Sequence, residues 1–400
     1  MDYQHITAEK QLRQFCRQLE NCRWIAFDTE FVSEHTYRPE LCLIQVATEG
    51  PPALIDALAV EHLEPFWQTI ASGRETIVHA GRSEMEFCLQ AIGRRPAGLF
   101  DVQLAAGLVG EEYPARYSSL IERLLGRQPH KHETRTDWRR RPLSKRQILY
   151  ALDDVRYLHT LRDVLYKRLE ELGRLDWFAQ EISHFQNEVE HAQSRHRWRR
   201  VAGIAGLDGR SLAVARELFH WREGEAQRRN KPARRVLRDD LLVELARRQT
   251  ADVKRIRAVR GLERGDLRRR LDEIAAAVRR GLDLPDEECP HPVRRGRTPK
   301  LSVLGQFLFA ALGSMCRQSR LAANLVGTPN DIRELIACRT AADAAPPRSA
   351  KLAQGWRAEF VGRLFDDLLS GKISIRVADP ASDCPLAFEE KGGTTTTWPS

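Results

Sequence analysis

The eight cysteines of this 400-residue chain, Cys16, Cys22, Cys42, Cys88, Cys289, Cys316, Cys338 and Cys384, include no pair at CxxC spacing. That excludes a paired-thiolate zinc site and leaves the reduced thiols of a cytosolic protein as the simplest account. No apolar run approaches the roughly 20 residues of a membrane-spanning helix, and Met1-Asp2-Tyr3-Gln4-His5 lacks the basic and apolar regions of a signal peptide. A cytoplasmic protein with no membrane partner and no obligate protein partner, acting as a monomer, is expected. No internal repeat stands out beyond a possible pair of helical modules in the later half. What is present is a globular composition, 42% hydrophobic and 30% charged, in a chain too long for one ordinary core, so two or three domains are expected. A net charge of +9 favours a polyanionic partner held by contacts that weaken with salt. Charge alone does not separate RNA, DNA and ribosome-associated binding.

Four carboxylates and one tyrosine carry the chemistry. Trp24-Ile25-Ala26-Phe27-Asp28-Thr29-Glu30-Phe31 is rich in β-branched and aromatic residues and reads as a buried strand. Side chains alternate along a strand, so Asp28 and Glu30 share one face. Tyr150 and Asp154 stand four apart in a stretch of good helix formers that begins at Leu143, and i, i+4 positions stack on one helix face. The pair can therefore point into one cleft. Two buried like charges raise each other's pKa, so a strand that sets two carboxylates side by side normally has cations to neutralise them. Oxygen-only ligands favour Mg²⁺ or Mn²⁺. Each piece also has a plain reading, since Asp-x-Glu occurs at solvated strand ends and Tyr-x-x-x-Asp recurs by chance in helices. With Glu84 ordered between them, the combination looks like a two-metal nuclease site.

The surrounding blocks carry a resemblance. Asp28-Thr29-Glu30-Phe31-Val32, Tyr37-Arg38-Pro39-Glu40-Leu41-Cys42-Leu43-Ile44-Gln45, His79-Ala80-Gly81, Phe100-Asp101-Val102-Gln103, Arg135-Thr136-Asp137-Trp138, Arg141-Pro142-Leu143 and Tyr150 through Asp154 resemble the bacterial ribonuclease D family, in its order. The resemblance implies the tyrosine subclass of DEDD exonucleases, which remove nucleotides one at a time from RNA 3′ ends and release 5′-mononucleotides. It implies that Asp28 bridges two ions, that Glu30 and Asp154 complete the first ion's shell, and that Tyr150 holds the attacking water. A free tyrosine has a pKa near ~10, so Tyr150 suits an orienting hydrogen bond better than the role of base. In the two-metal scheme one ion generates hydroxide and the other stabilises the departing 3′ oxygen.

One position departs from the family pattern. Three residues after Gly81, where an aspartate is usual, stands Glu84, one methylene longer. The family uses this carboxylate mainly for the second ion, partly through water, so a working site is expected. The plain reading of Glu84 is an acid in a helix's first turn, favoured there by the dipole. Asp101 is a rival ligand to Glu84 but reads first as a structural or supporting group near the cleft, and His79 reads as a hydrogen-bonded structural histidine. Phe31 either packs against the terminal base or, pointing away from Asp28 by alternation, packs in the core. Arg139 and Arg140, in Trp138-Arg139-Arg140-Arg141, either contact RNA phosphates or form a solvated face.

Along the chain, strands are expected near 24–31, 41–48, 52–57, 76–80 and 98–102, with antiparallel hairpins first and a βα pattern after. This suits a ribonuclease H-like exonuclease domain, a mixed α/β sheet flanked by helices, over 1–172, followed by all-α HRDC-type helical domains. One long helix is expected from Leu143 to about Leu172 and another from Trp177 toward Arg200, with 173–206 as a helical connector. Its basic end, Ser194 to Arg200, either clasps RNA or merely joins domains. Residues 207–283 resemble the HRDC domain through Trp221-Arg222 and Asn230 to Leu242, with Leu267, Leu271, Ile274 and Val278 as one helix stripe. The turn Arg260 to Gly265 resembles that module's glycine-containing turn, whose amides can approach phosphate, though such glycines also simply end and restart helices. A proline-rich linker, 284–300, precedes a second HRDC-like unit, 301–378, with Leu304, Phe307, Leu308 and Leu312 at core spacing and a final helix from Gly355 to near Gly371. Residues 379–400 read as a disordered tail. The expected activity is metal-dependent trimming of tRNA precursors or other structured RNAs with 3′ tails. Two other classes stay open: an RNA-binding protein with impaired catalysis, motivated by Glu84, and a DNA 3′ exonuclease.

Overall fold

Six strands form one mixed sheet in the order β1-β4-β3-β2-β5-β6: β1 (Gln4–Ile6), β2 (Trp24–Val32), β3 (Glu40–Ala47), β4 (Ala53–Asp56), β5 (Glu75–Val78) and β6 (Leu99–Asp101). The computed structural model describes residues 2–128, 136–192, 197–262, 265–292, 303–340 and 350–390. β2–β3 and β3–β4 are antiparallel, as the tight early connections predict, and the other pairs are parallel. β1 stands outside the expected set of strands, because three residues are too few for a periodic signal.

β2 is central because both of its faces are used. Phe27 meets Phe66 and Trp67 of α2 (Glu64–Ile70), and Phe31 meets Phe87 of α3 (Arg82–Ile92). The opposite face carries Asp28 and Glu30. Glu30 pairs with Leu43 and Phe31 with Leu41, so Cys42 is the extra residue of a bulge beside the acidic pair. Such bulges bend a strand and re-aim its side chains.

After β6 come the helices α4 (Val102–Leu108), α5 (Tyr117–Leu125), α6 (Lys145–Arg156), α7 (Leu158–Glu171) and α8 (Leu175–Ala192), while α1 (Glu9–Leu19) precedes β2. Ser144 and Gln147 form a capping box that starts α6. The expected single helix from Leu143 to Leu172 is instead two. The Tyr117 hydroxyl donates to the Asp153 carbonyl at 3.3 Å and accepts from the Tyr157 amide at 3.2 Å, standing where an i→i−4 bond would be. A side chain inserted in the ladder is a recognised cause of a helix break. The second long helix stops at Ala192, and Arg197–Arg200 is a short 3₁₀ turn; Ser194 to His196 lie outside the described residues.

Helices α9 (Gly209–Arg228), α10 (Ala233–Val236), α11 (Asp239–Arg248), α12 (Val253–Arg257), α13 (Gly265–Arg268) and α14 (Leu271–Leu282) enclose their own apolar cluster, from Trp198 to Val278. Leu267 sits on the short α13, not on one stripe with Leu271, Ile274 and Val278, because Arg270 breaks from helical geometry between them. Of the 284–300 stretch, residues 293–300 lie outside the described residues.

From α15 (Val303–Gln318) onward, through α16 (Ala323–Val326) and α17 (Pro329–Thr340), the buried side chains belong to the same continuous core as the sheet. Leu308 and Leu312 are buried there with Ala311 and Met315, whereas Leu304 and Phe307 are exposed, so the inward stripe lies one step around the helix from the expected one. The final helical stretch starts at Gly355, passes through a π turn at Ala358–Gly362 and ends at Leu369. The expectations of helix alone up to Ala378 and of disorder after it are corrected by an antiparallel hairpin, Ile373–Val377 with Leu386–Glu390. Ile373 and Phe388 anchor it in the core, a long-range burial that tail composition does not announce. Residues 391–400 lie outside the described residues.

Candidate active site

Asp28, Glu30 and Asp154 each offer a carboxylate oxygen, and these atoms lie within 4.8 Å of one another. β2 brings the first two by alternation, and α6 lays Asp154 across that face. Tyr150, one turn earlier, hydrogen-bonds Asp154. A cavity of about 150 Å³ is lined by Asp28, His79, Tyr117, Tyr150 and Asp154.

Glu84 stands beside the cluster rather than in it. It is buried at the start of α3, and its Oε1 accepts from the Thr29 hydroxyl at 2.6 Å. Gly81 makes that approach possible, since a Cβ there would fall 2.4 Å from Val78 Cγ2. Asp101 clasps the same turn with both oxygens, accepting from the Ala80, Gly81 and Gln103 amides. Its capacity goes to backbone, the structural role expected of it. His79 likewise bonds the Ala115 carbonyl through Nε2 at 3.0 Å.

The electrostatics are those of a site built for cations. Burial, then the charges of Asp28, Asp154 and Glu84, push Glu30 up to about 9. Burial and the Asp28 charge raise Glu84 to about 8, and burial raises Asp154 to about 7 despite the Tyr150 hydrogen bond. Asp28 is raised too, by burial and then by Asp154. Burial, followed by Asp154, raises the Tyr150 phenol, which keeps its proton at neutral pH. Among the described residues no lysine or arginine forms an ion pair with these four carboxylates. One more polar group is unmatched: Gln45, the cross-strand neighbour of Asp28, is fully buried, and neither its Oε1 nor its Nε2 has a hydrogen-bond partner among the described residues. Hard oxygen donors clustered without a counter-charge, beside an orphaned amide, fit a divalent ion such as Mg²⁺ or Mn²⁺.

The other expected contacts separate. Phe31 packs its ring on Phe87 at 5.4 Å, the core alternative. Arg139 is exposed and pairs with Asp137 at 2.9 Å, and Arg140 is exposed. Trp138 is buried, its ring 6.0 Å from Tyr150. Arg141 is a structural clamp, gripping Asp56 through Nε at 2.5 Å and Nη2 at 2.7 Å and the Cys42 carbonyl at 2.9 Å. Arg135 lies outside the described residues. Tyr117 joins the site from outside every block that carries the resemblance, and Thr29 and Gln45 lie inside such blocks without being singled out, because each matters through a partner far along the chain.

A second cleft, about 600 Å³, lies between the loop that leaves β2 and the α9–α11 unit. Tyr37 spans it, donating through its hydroxyl to Glu223 at 2.9 Å and through its amide to Asn230 at 3.1 Å. Its lining includes Arg38, Arg82, Arg197, Arg200, Arg222 and Arg234.

Comparison with known proteins agrees with this geometry. A family described as 3′-5′ exonuclease matches residues 3–170, and the HRDC domain family matches 211–278. The chain is 34% identical to the ribonuclease D of Sphingobium indicum, over 93% of this chain and 96% of that protein. It is 33% identical to the ribonuclease D of Gluconacetobacter diazotrophicus, over 93% and 94% respectively. The crystal structure of Escherichia coli RNase D, described as an exoribonuclease involved in structured RNA processing, superposes with a TM-score of 0.79 at 27% identity, covering 93% of this chain and 99% of that one.

Proposed function

Because the chain belongs to the ribonuclease D family and is a 3′–5′ exoribonuclease, we propose that it trims the 3′ tails of structured RNAs, tRNA precursors among them. In this reading Asp28, Glu30, Glu84 and Asp154 hold two divalent ions, Mg²⁺ or Mn²⁺, and 5′-mononucleotides are released. The observation that carries it is the convergence of Asp28, Glu30 and Asp154 within 4.8 Å, with no counter-cation among the described residues.

Bound there, such ions would supply hydroxide at neutral pH and charge stabilisation for the departing 3′ oxygen. The protein's own groups do the rest. Asp28 lies within reach of both Glu30 and Asp154 and would be shared between the ions. Tyr150, protonated, donates to Asp154 and stands on the cavity wall, where its phenol can orient water at the scissile phosphate. Thr29 holds Glu84 in place, which lets the longer side chain serve where an aspartate is usual. His79, its pKa lowered by burial, closes the cavity as a neutral ring. The small cavity at the cluster, about 150 Å³, favours a single-stranded end over a duplex. The arginine-lined cleft offers phosphate contacts for the RNA body. The free thiols of all eight cysteines suit the reducing cytoplasm.

The test is a 5′-labelled RNA with a single-stranded 3′ tail, incubated with protein and Mg²⁺ or Mn²⁺ beside Asp28→Ala and EDTA controls, and a matched DNA strand. The expected result is a one-nucleotide ladder on RNA, lost in both controls. RNA that is bound but left intact would favour the catalytically impaired reading, and equal cutting of DNA would remove the RNA preference.

A further inference from the structure

The geometry points to Tyr117 as the residue that sets Asp154 in place: its hydroxyl, inserted between the Asp153 carbonyl and the Tyr157 amide, ends α6 at Arg156, two residues after Asp154, and thereby fixes where the Asp154 carboxylate lies against Asp28 and Glu30. The inference rests on the metal-site reading above and goes beyond it by assigning a positioning role to a residue outside the ligand set.

Asp153 and Tyr157 are four residues apart, the spacing of an ordinary helical hydrogen bond. Here that bond is replaced by two longer ones through a single phenol, 3.3 Å from the carbonyl and 3.2 Å from the amide. Tyr157 accordingly has φ −104° and ψ 0°, and α7 restarts at Leu158. Asp154 is the residue immediately inside the opened turn, so the turn's geometry is the geometry of its Cα.

Tyr117 is itself held firmly. The chain entering α5 is pinned at the Ala115 carbonyl, which accepts from Gln103 Nε2 at 2.9 Å and contacts His79 Nε2 at 3.0 Å. The Tyr117 ring lies 5.5 Å from that of His79 and lines the same cavity as Asp28, Tyr150 and Asp154. A rigid donor–acceptor on α5 thus fixes the backbone of α6 at the site. Removal of the hydroxyl lets the direct Asp153–Tyr157 bond form, which tightens the turn and moves Asp154 relative to β2. Displacements near 1 Å at reacting groups cost about 10²-fold in rate, and groups that orient metal ligands typically contribute 10- to 100-fold in affinity or activity.

The experiment compares wild type, Tyr117→Phe and Asp154→Asn. Mn²⁺ affinity is measured without RNA by electron paramagnetic resonance of free Mn²⁺, alongside kcat and KM on the tailed RNA and the unfolding midpoint. Expected for Tyr117→Phe is Mn²⁺ binding weakened by about 10-fold and kcat lowered by about 10- to 100-fold, with KM within about twofold. Tyr117→Phe retains the ring that packs on His79, so it is expected to fold. Mn²⁺ affinity and kcat both within about twofold of wild type would overturn the proposal, including where the unfolding midpoint falls, since that is a structural role alone. Unchanged Mn²⁺ affinity in Asp154→Asn would instead overturn the metal-site reading, a failure separable from that of Tyr117.

Discussion

At the scale of single residues, the site is a store of electrostatic cost. Glu30 raised to about 9, Glu84 to about 8 and Asp154 to about 7 are each disfavoured in their charged forms by burial and by one another. A carboxylate whose folded pKa lies above its unfolded value stabilises the fold most below the unfolded pKa and progressively less as pH rises toward the folded one. Metal-free protein is therefore expected to lose stability between about pH 4 and pH 9. Divalent ions bind the deprotonated ligands and must displace protons at low pH. Mn²⁺ should accordingly raise the melting temperature more at pH 8.5 than at pH 5.5. Calorimetric scans with EDTA and with Mn²⁺ across that range check this, and an EDTA profile that rises from pH 5 to 9 would contradict it.

Among elements, the hairpin of β3 and β4 and the loop before α6 are tied by one side chain. Arg141 grips buried Asp56 and the Cys42 carbonyl at the bulge beside Glu30. Arg141→Ala leaves the Asp56 charge in the interior without its counter-ion, which costs about 3 kcal/mol, the low end of the range because the Arg141 side chain keeps 27% exposure. Urea unfolding measures that loss. Activity should fall as well, since the same clamp anchors the segment leading into the helix that carries Tyr150 and Asp154. A variant as stable as wild type would show that the pair is solvated instead.

For the molecule as a whole, the C-terminal helices are part of the nuclease core. Arg357 meets Glu181 of α8 through two bonds, 2.6 and 3.0 Å, and also holds the Leu325 and Val326 carbonyls; Trp356 donates to the same glutamate at 3.1 Å. Every one of these groups is buried. Arg357→Ala is expected to destabilise the protein by about 3 to 5 kcal/mol by stranding the Glu181 charge, and denaturant midpoints would register it. The arginine cleft, in turn, predicts a salt effect. Arg197 and Arg234 are paired with Glu223 and Asp239, whereas Arg38 and Arg200 are exposed on the lining. Replacing both Arg38 and Arg200 by alanine should reduce the slope of log affinity against log salt by about 1 to 2, roughly one for each phosphate that an arginine neutralises. Fluorescence anisotropy on the tailed RNA between low and moderate salt would show no change in slope if the cleft is not on the RNA path.

Local pattern alone determined the early sheet and the ligand-bearing face. Alternation along β2 put Asp28 and Glu30 together, and the i, i+4 spacing of Tyr150 and Asp154 put them on one helix face, because both periodicities are properties of a single element. What only the tertiary structure decided involves partners remote in sequence. Tyr117 splits a stretch of uniformly helical composition, Phe388 pulls a polar tail back into a hairpin, and the Thr29 hydroxyl donates to Glu84 across 55 residues. Leu304 and Phe307 carry the helical spacing of a core face yet stay exposed, while the inward stripe of α15 is chosen by α16 and α17, the helices packed on it. Periodicity specifies that an element has an apolar face; the surface packed against it settles which residues that face contains.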